Sequence, residues 1–359
     1  MPEKPSLLRR FEKGALASVV TPILGILFGL LVSSFVIAQQ GVNPLAAFRS
    51  LFRGAFGDWD AFTFTLLRFI PLAFSGLAVT LAYRGGIFNI GGEGQLYMGA
   101  LASTWVAITF SGLPQILLVP LGLLAGMAAG GIFAFIPGYL KAKRNFNEIL
   151  ITILLNYIGI YLVGMSVSTF LKQPNQTIPQ SAMLAENAQI PTMFGSNYLH
   201  LGILLVFVAA ALVYVLLFRT QWGYEIRSVG MSEQGARYAG VNVPRVMIVT
   251  MTFSGMLAAL AGSMEILGVQ HRLMENFMVG YGYDAIPVAL LGGLHPVGTL
   301  VAALFFGALR NGANAMQIAV NIPVPIIYMV QGLAIIGILA VSSIRTIFFA
   351  NRTKGAAAR

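Results

Sequence analysis

The sequence contains no cysteine, and only 9% of its 359 residues are charged. The first absence excludes disulfides, thiolate metal sites and lipidated thiols. Three histidines, His200, His271 and His295, are too scattered for a metal site. No H-E-x-x-H and no G-x-S-x-G motif is present, so nothing supports catalysis in the chain. No lysine follows a glycine, which removes the phosphate-binding motif G-x-x-x-x-G-K-[ST]. The second absence, scarce charge, combines with 57% hydrophobic residues and a mean hydropathy of +0.80 to exclude a soluble fold. A polytopic membrane protein remains. Its net charge of +10 is spread singly along loops, as topology requires and nucleic-acid binding does not. The 40 glycines and 16 prolines fit membrane helices, where neighbouring helices satisfy the backbone.

A helix crossing ~30 Å of hydrocarbon needs about 20 apolar residues. That ruler predicts an all-α chain of ten passes: Leu16 to Ala38, Phe62 to Tyr83, Gly92 to Phe110, Ile116 to Leu140, Ile149 to Leu171, Tyr198 to Phe218, Val246 to Leu267, a broken pair within Gly280 to Gly312, and Ile322 to Val341. The first follows a basic start and resembles a cleavable signal, but its apolar run is long enough to be retained as an anchor. With both termini in the cytoplasm, sixteen Lys and Arg fall inside and four outside (Arg49, Arg53, Lys172, Arg272), with Arg68 and Arg310 within spans. This orientation satisfies the positive-inside rule.

At an offset of 179 residues, FSGLAVTLA (Phe74 to Ala82) aligns with FSGMLAALA (Phe253 to Ala261), five identities in nine. These are the second and seventh spans, which run in opposite directions, as an inverted repeat requires. One membrane domain over residues 1–359 is expected, with repeats at about 62–171 and 246–341 and a connecting segment at 219–245. Each repeat carries an interrupted stretch, YRGGIFNIGGEGQLY and GYGYDAIPVALLGGLHPVGT. In the second, Ala285 to Gly293 spans only about 13 Å as a helix, so a half-helix is expected there. The depth of the first interruption stays open.

Polar side chains near these interruptions are the candidates for a translocation path. Glu93 falls in the first turn of a span, where the helix dipole favours a carboxylate and Arg84 is a possible partner; gating is the other role. Asn89 and Gln95 either bond a polar solute or tie helices together. Asn156 and Tyr157 lie mid-span, an amide and a phenol suited to an uncharged ring-containing solute. Asp284, Glu265, Arg68 and Arg310 are ionisable residues within spans, the last in LRNGANA beside Asn311; the two acids are expected near the outer interface, where their charges reach water. The longest inner segment, Phe218 to Arg245, contains Ser232 as a cap for a short helix through Tyr238, ended by Gly240 with Pro244 beyond. Either an ordinary basic loop or a docking knob results.

FNIGGEGQ, NEILITILLNYI, GYEIRSVGMSEQGARYAGV and GYGYDAIPVALLGG, in that order over essentially the whole chain, resemble the permease subunits of bacterial ABC importers for nucleosides, within the branched-chain amino acid and simple-sugar permeases. The resemblance implies a type II importer half in the bacterial cytoplasmic membrane. It implies a second related permease, a separate ATPase that uses ATP and Mg, and an extracytoplasmic substrate-binding lipoprotein facing the loop Lys172 to Asn197. The chain itself is expected to bind no cofactor or metal and to be no enzyme. The family's coupling segment maps onto Gly230, Ser232, Glu233, Gly235, Arg237, Tyr238 and Gly240, and its glycine and glutamate pattern onto Asn89, Gly91, Glu93, Gly94 and Gln95. Ribose or another simple sugar is the alternative cargo, and an ion-coupled secondary transporter the alternative mechanism.

Overall fold

The computed structural model describes residues 29, 31–193 and 198–321, with 329, 332, 333 and 336 beyond them. The described residues form two compact units, Asp58–Arg310 and a second made of the stretches that flank it. Most of the expected first span and of the expected span from Ile322 to Val341 lies outside the described residues.

In the flanking unit, α1 (Leu31–Gln39) and α2 (Pro44–Phe56) meet at 117°. Gly41 turns the chain at φ +74°, and Asn43 caps α2 by accepting the Leu45 amide, with Pro44 opening the helix. Ile37 and Ala47 pack with Ala313 and Met316. Asn311 donates from Nδ2 to the Gly54 carbonyl at 2.9 Å.

The large unit contains α3 (Trp59–Arg84), α4 (Gly92–Thr109), α5 (Gln115–Arg144), α6 (Glu148–Ser168), α7 (Gly202–Arg219), α8 (Gln221–Met231), α9 (Glu233–Tyr238), α10 (Val243–Glu265, continued by a π-helical turn Ile266–Gln270), α11 (Tyr281–Leu291) and the start of α12 (Pro296–Val320). Among the described residues, five helices are long and apolar enough to cross a membrane (α3, α5, α6, α7 and α10 with its π turn), and the bent α1–α2 pair makes a sixth if counted as one span. The half-helix is α11, eleven residues rather than nine, and the irregular backbone after it is only 292–295. Two helices escaped the sequence reading, α2 and α8, because both are short and amphipathic and so fail an apolar-length test.

The core is organised around α10. On α5, Gly126, Gly130, Ala134 and Gly138 recur every fourth residue; on α10, Met251, Gly255, Ala259 and Ser263 do the same. The two stripes meet in reverse order, Gly126 at Ser263, Gly130 at Ala259, Ala134 at Gly255 and Gly138 at Met251, so the helices are antiparallel and nearly touch backbones. Lipid supplies no hydrophobic drive between helices, and small residues at this spacing obtain their attraction from close approach instead. The contacts of α4 run the other way: Asn89 meets Ser254, Gly99 meets Ala259, and Ser103 and Leu267 flank Gly122, making α4 parallel to α10. On α3, Ala78 meets Ser254 and Gly85 meets Thr250, so the two matched segments lie side by side in opposite directions. Each repeat's second helix packs on the other's first, α4 on α10 and α11 on α3.

This packing fixes the depth of the first interruption. Ser254 is about 17 Å along α10 at 1.5 Å per residue, and Asn89 donates to its Oγ at 2.8 Å. FNIGGEGQ therefore re-enters to about the middle of α10. As a test of the seam, Gly130→Leu would drive a Cβ to 2.3 Å from the Ala259 Cβ, whereas Gly112 has open space around it. The expected result, read as thermal unfolding of the purified chain, is a loss of roughly 1–3 kcal/mol or more for Gly130→Leu and no shift for Gly112→Leu.

Candidate functional site

The two interrupted stretches meet. Glu93, in the first turn of α4 and 1% exposed, does not pair with Arg84 as the sequence suggested. Its carboxylate accepts the Gly280 amide at 2.6 Å and the Gly282 amide at 2.7 Å, which are orphan N–H groups at the start of α11. One carboxylate thus sits in the first turn of its own helix and caps a second, where both dipoles favour its charge. Gly282 permits this approach, since a Cβ there would lie 2.2 Å from the Glu93 nitrogen.

The neighbouring amides complete the junction. Asn156, on α6 and fully buried, accepts the Gly94 amide at 2.8 Å and donates to the Ile90 carbonyl at 2.9 Å and the Tyr283 hydroxyl at 3.1 Å. Asn89 donates to Gln95 Oε1 at 2.9 Å and to Ser254, and its Oδ1 accepts from the Gly91 amide and Gln95 Nε2, both at 3.0 Å. The Ser254 hydroxyl in turn donates to the Ala78 carbonyl at 2.7 Å. Asn89, Glu93, Gln95 and Asn156 are accordingly gathered in one place, each 1% exposed or less. Ser254, Gly280, Gly282 and Tyr283 were not singled out from sequence; the glycines flanking Tyr281 in GYGYD were the available signal.

Charged groups surround the start of α11. Asp284 pairs with Arg310 at 3.1 Å, the Arg310 guanidinium lies 3.8 Å from the Tyr281 ring centroid, and Arg68 donates to the Tyr281 hydroxyl at 3.1 Å. Glu265, 5% exposed, accepts from Gln270 at 2.9 Å. Asp284 and Glu265 were expected to reach water at an interface; Asp284 is instead part-buried against Arg310, because α11 starts deep rather than at the surface, and Glu265, at the end of α10, is buried against Gln270. Asn311 belongs to the flanking unit. Tyr157 differs from all of them, 54% exposed on α6, with Tyr161 at 69% one turn further.

At one end of the large unit gather Arg84, Lys141, Lys143, Arg144, Arg219, Arg227, Arg237 and Arg245, the basic end. There Ser232 caps α9, accepting the Gly235 amide at 3.1 Å; Glu233 occupies the first turn and Arg237 the last, and Gly240 follows at φ +84°. Tyr238 and Met231 project at 93% and 89% exposure. At the other end, residues 172–193 are stitched to the close of α10: the amides of Ser181, Leu184 and Ile190 donate to the carbonyls of Leu273, His271 and Leu267, each at 2.8 Å. Burial there pushes the His271 imidazole below its ordinary pKa, which keeps it neutral.

Removing the Glu93 carboxylate strands two amides in a low-dielectric interior, at about 1–3 kcal/mol each. Glu93→Ala is expected to lower the unfolding temperature and expose the link 276–282 to protease, with Glu93→Gln, which keeps one acceptor, intermediate. Equal stability of all three forms would contradict the capping role.

The family described as branched-chain amino acid transport system / permease component matches residues 61–339. The guanosine ABC transporter permease protein NupP of Bacillus subtilis is 33% identical over 347 residues, 95% of this chain and 99% of that one. A glucose ABC transporter permease protein of Haloferax volcanii is 35% identical over 88% of this chain and 86% of its own. A nucleoside ABC transporter permease protein of Lactococcus lactis is 32% identical over 83% and 84%. With a family match over most of its length, relatives matched over more than four fifths of either chain, and apolar helices interleaved about two deep interruptions, this multi-pass membrane chain belongs to the branched-chain amino acid transport system permease family of ABC transporter subunits.

Proposed function

We propose that the chain is the nucleoside-translocating permease subunit of a bacterial ABC importer, moving its cargo across the cytoplasmic membrane without chemistry on it. The observation that carries this reading is the knob at the basic end. A six-residue helix capped at both ends, flanked by an almost fully exposed Tyr238 and Met231, offers a rigid apolar contact to another protein. A separate ATPase, holding the ATP and Mg, docks there on residues 230–240, and the basic end faces the cytoplasm. Two of the relatives above are named for guanosine or nucleosides, which supports that cargo. The partners are this ATPase, a second related permease and a substrate-binding lipoprotein on the stitched cap 172–193; the chain needs no cofactor of its own.

Tyr157, with Tyr161 beside it and Tyr283 across on α11, lines the path. Aromatic rings with a hydroxyl suit a flat, hydrogen-bonding base better than an aliphatic cargo. A simple sugar is the second reading, favoured by the glucose-named relative.

Reconstitution of the assembled complex in vesicles distinguishes them: ATP-dependent uptake of labelled guanosine, in excess over glucose and ribose, is the expected result. Preferential uptake of a sugar would replace the cargo, and uptake on an ion gradient without the ATPase would remove the mechanism. In the same assay Tyr157→Ala is expected to slow uptake roughly three- to tenfold while the complex stays assembled. Tyr238→Ala is expected to uncouple: the subunit remains in the membrane, and cargo accumulation stops.

A further inference from the structure

A chain of contacts leads from the knob to the deep junction, and Arg84 is its middle member. Gly230, near the end of α8, lies against the turn after α3: a Cβ on it would fall 2.1 Å from the Arg84 carbonyl oxygen and 3.0 Å from the Gly86 nitrogen. Gly86 itself, at φ +72°, faces the Gly230 Cα. Backbone meets backbone there, with no flexible side chain to absorb a displacement. The Arg84 side chain reaches the opposite way, donating from Nε to the Leu294 carbonyl at 2.7 Å and from Nη2 to the Gly293 carbonyl at 3.3 Å.

Those carbonyls belong to the cap that ends α11. Gly293 and Leu294 are both left-handed, at φ +65° and +53°, with their amides donating to Leu290 and Ala289. Leucine is disfavoured in this conformation, and such a residue persists where its surroundings hold it. The Arg84 guanidinium supplies the hold. Phe218 braces the assembly, carrying Arg84 at 5.8 Å and Arg227 of α8 at 5.1 Å over its ring, with His295 at 5.3 Å. From this cap α11 runs about 16 Å to the amides that Glu93 holds.

We propose that Arg84 is the positioning residue that transmits movement of α8 and α9 to α11, so that a shift at the knob displaces the half-helix and acts on the Glu93 junction at mid-depth. The inference rests on the reading of the chain as an ATP-driven permease. It assigns no cargo contact to Arg84.

The test uses the full importer in vesicles, with cargo uptake and ATP hydrolysis measured together. Arg84→Ala is expected to cut the cargo moved per ATP hydrolysed about tenfold, with hydrolysis and subunit stoichiometry near wild type. Arg84→Lys, which keeps one donor for the Leu294 carbonyl but not the fork, should restore part of that ratio. Gly230→Ala, pressing on the Arg84 carbonyl, should lower it as well. The proposal is overturned by an unchanged ratio in Arg84→Ala, or by uptake and hydrolysis falling together with loss of the subunit in both Arg84 variants, which marks a residue that only holds the fold. A wild-type complex that hydrolyses ATP without moving guanosine or sugar would remove the functional reading as well, and is told apart by failing before any substitution is made.

Discussion

Backbone amides have no water to turn to inside hydrocarbon, so a chain that breaks its helices at depth must satisfy every freed N–H and C=O internally. The Glu93 carboxylate on the Gly280 and Gly282 amides is how this chain meets the constraint at α11. The same rule explains Asn156, which spends one oxygen on the Gly94 amide and its nitrogen on the Ile90 carbonyl. The two interruptions complete one another. Each supplies what the other lacks: α11 presents uncapped donors, and α4 presents an acceptor that would be prohibitive to bury without them.

Close packing then sets where this exchange happens. The glycine and alanine seam between α5 and α10 fixes α10 as a reference, and Gly99 and Gly262 bring α4 against it with similar intimacy. With α4 parallel and α3 antiparallel to α10, the Asn89–Ser254–Ala78 hydrogen-bond chain ties the three at one level. Interleaving of the two repeats follows: α11 can reach Glu93 only because it packs on α3 rather than beside its own predecessor.

Much of this architecture is legible in the sequence where the signal is local. Apolar length located the helices, the FSG repeat paired α3 with α10, and Ser232, Gly240 and Pro244 marked the short helix at the basic end. The half-helix was legible too, read as the nine residues Ala285 to Gly293 against the eleven of α11, because neither length crosses a bilayer. What sequence could not supply were partners separated by more than a hundred residues. Arg84 was the nearest cation to Glu93 along the chain, yet Gly282 lets α11 approach more closely than any side chain, and Arg84 is drawn to the carbonyls of Gly293 and Leu294. Depth was equally illegible for FNIGGEGQ, since it depends on how far α3 and α4 slide along α10.

The division between satisfied and unsatisfied groups separates structural residues from those free to meet a solute. Asn89, Gln95, Asn156 and Glu93 are buried with their hydrogen bonds made, and a cargo binding to any of them would first have to break a bond whose loss strands a buried group at about 1–3 kcal/mol. Tyr157 and Tyr161 stand in the opposite condition. They are the tenth and fourteenth of the 21 residues of α6, far from either end, and more than half exposed. Membrane tyrosines favour the interfaces, where ring and hydroxyl both find suitable surroundings, and a phenol facing acyl chains at mid-span would leave its hydroxyl without a partner. That face of α6 is therefore built to meet water or another polar group rather than acyl chains, and the junction behind it, through Asn156 and its bond to Tyr283, sets the position of that face.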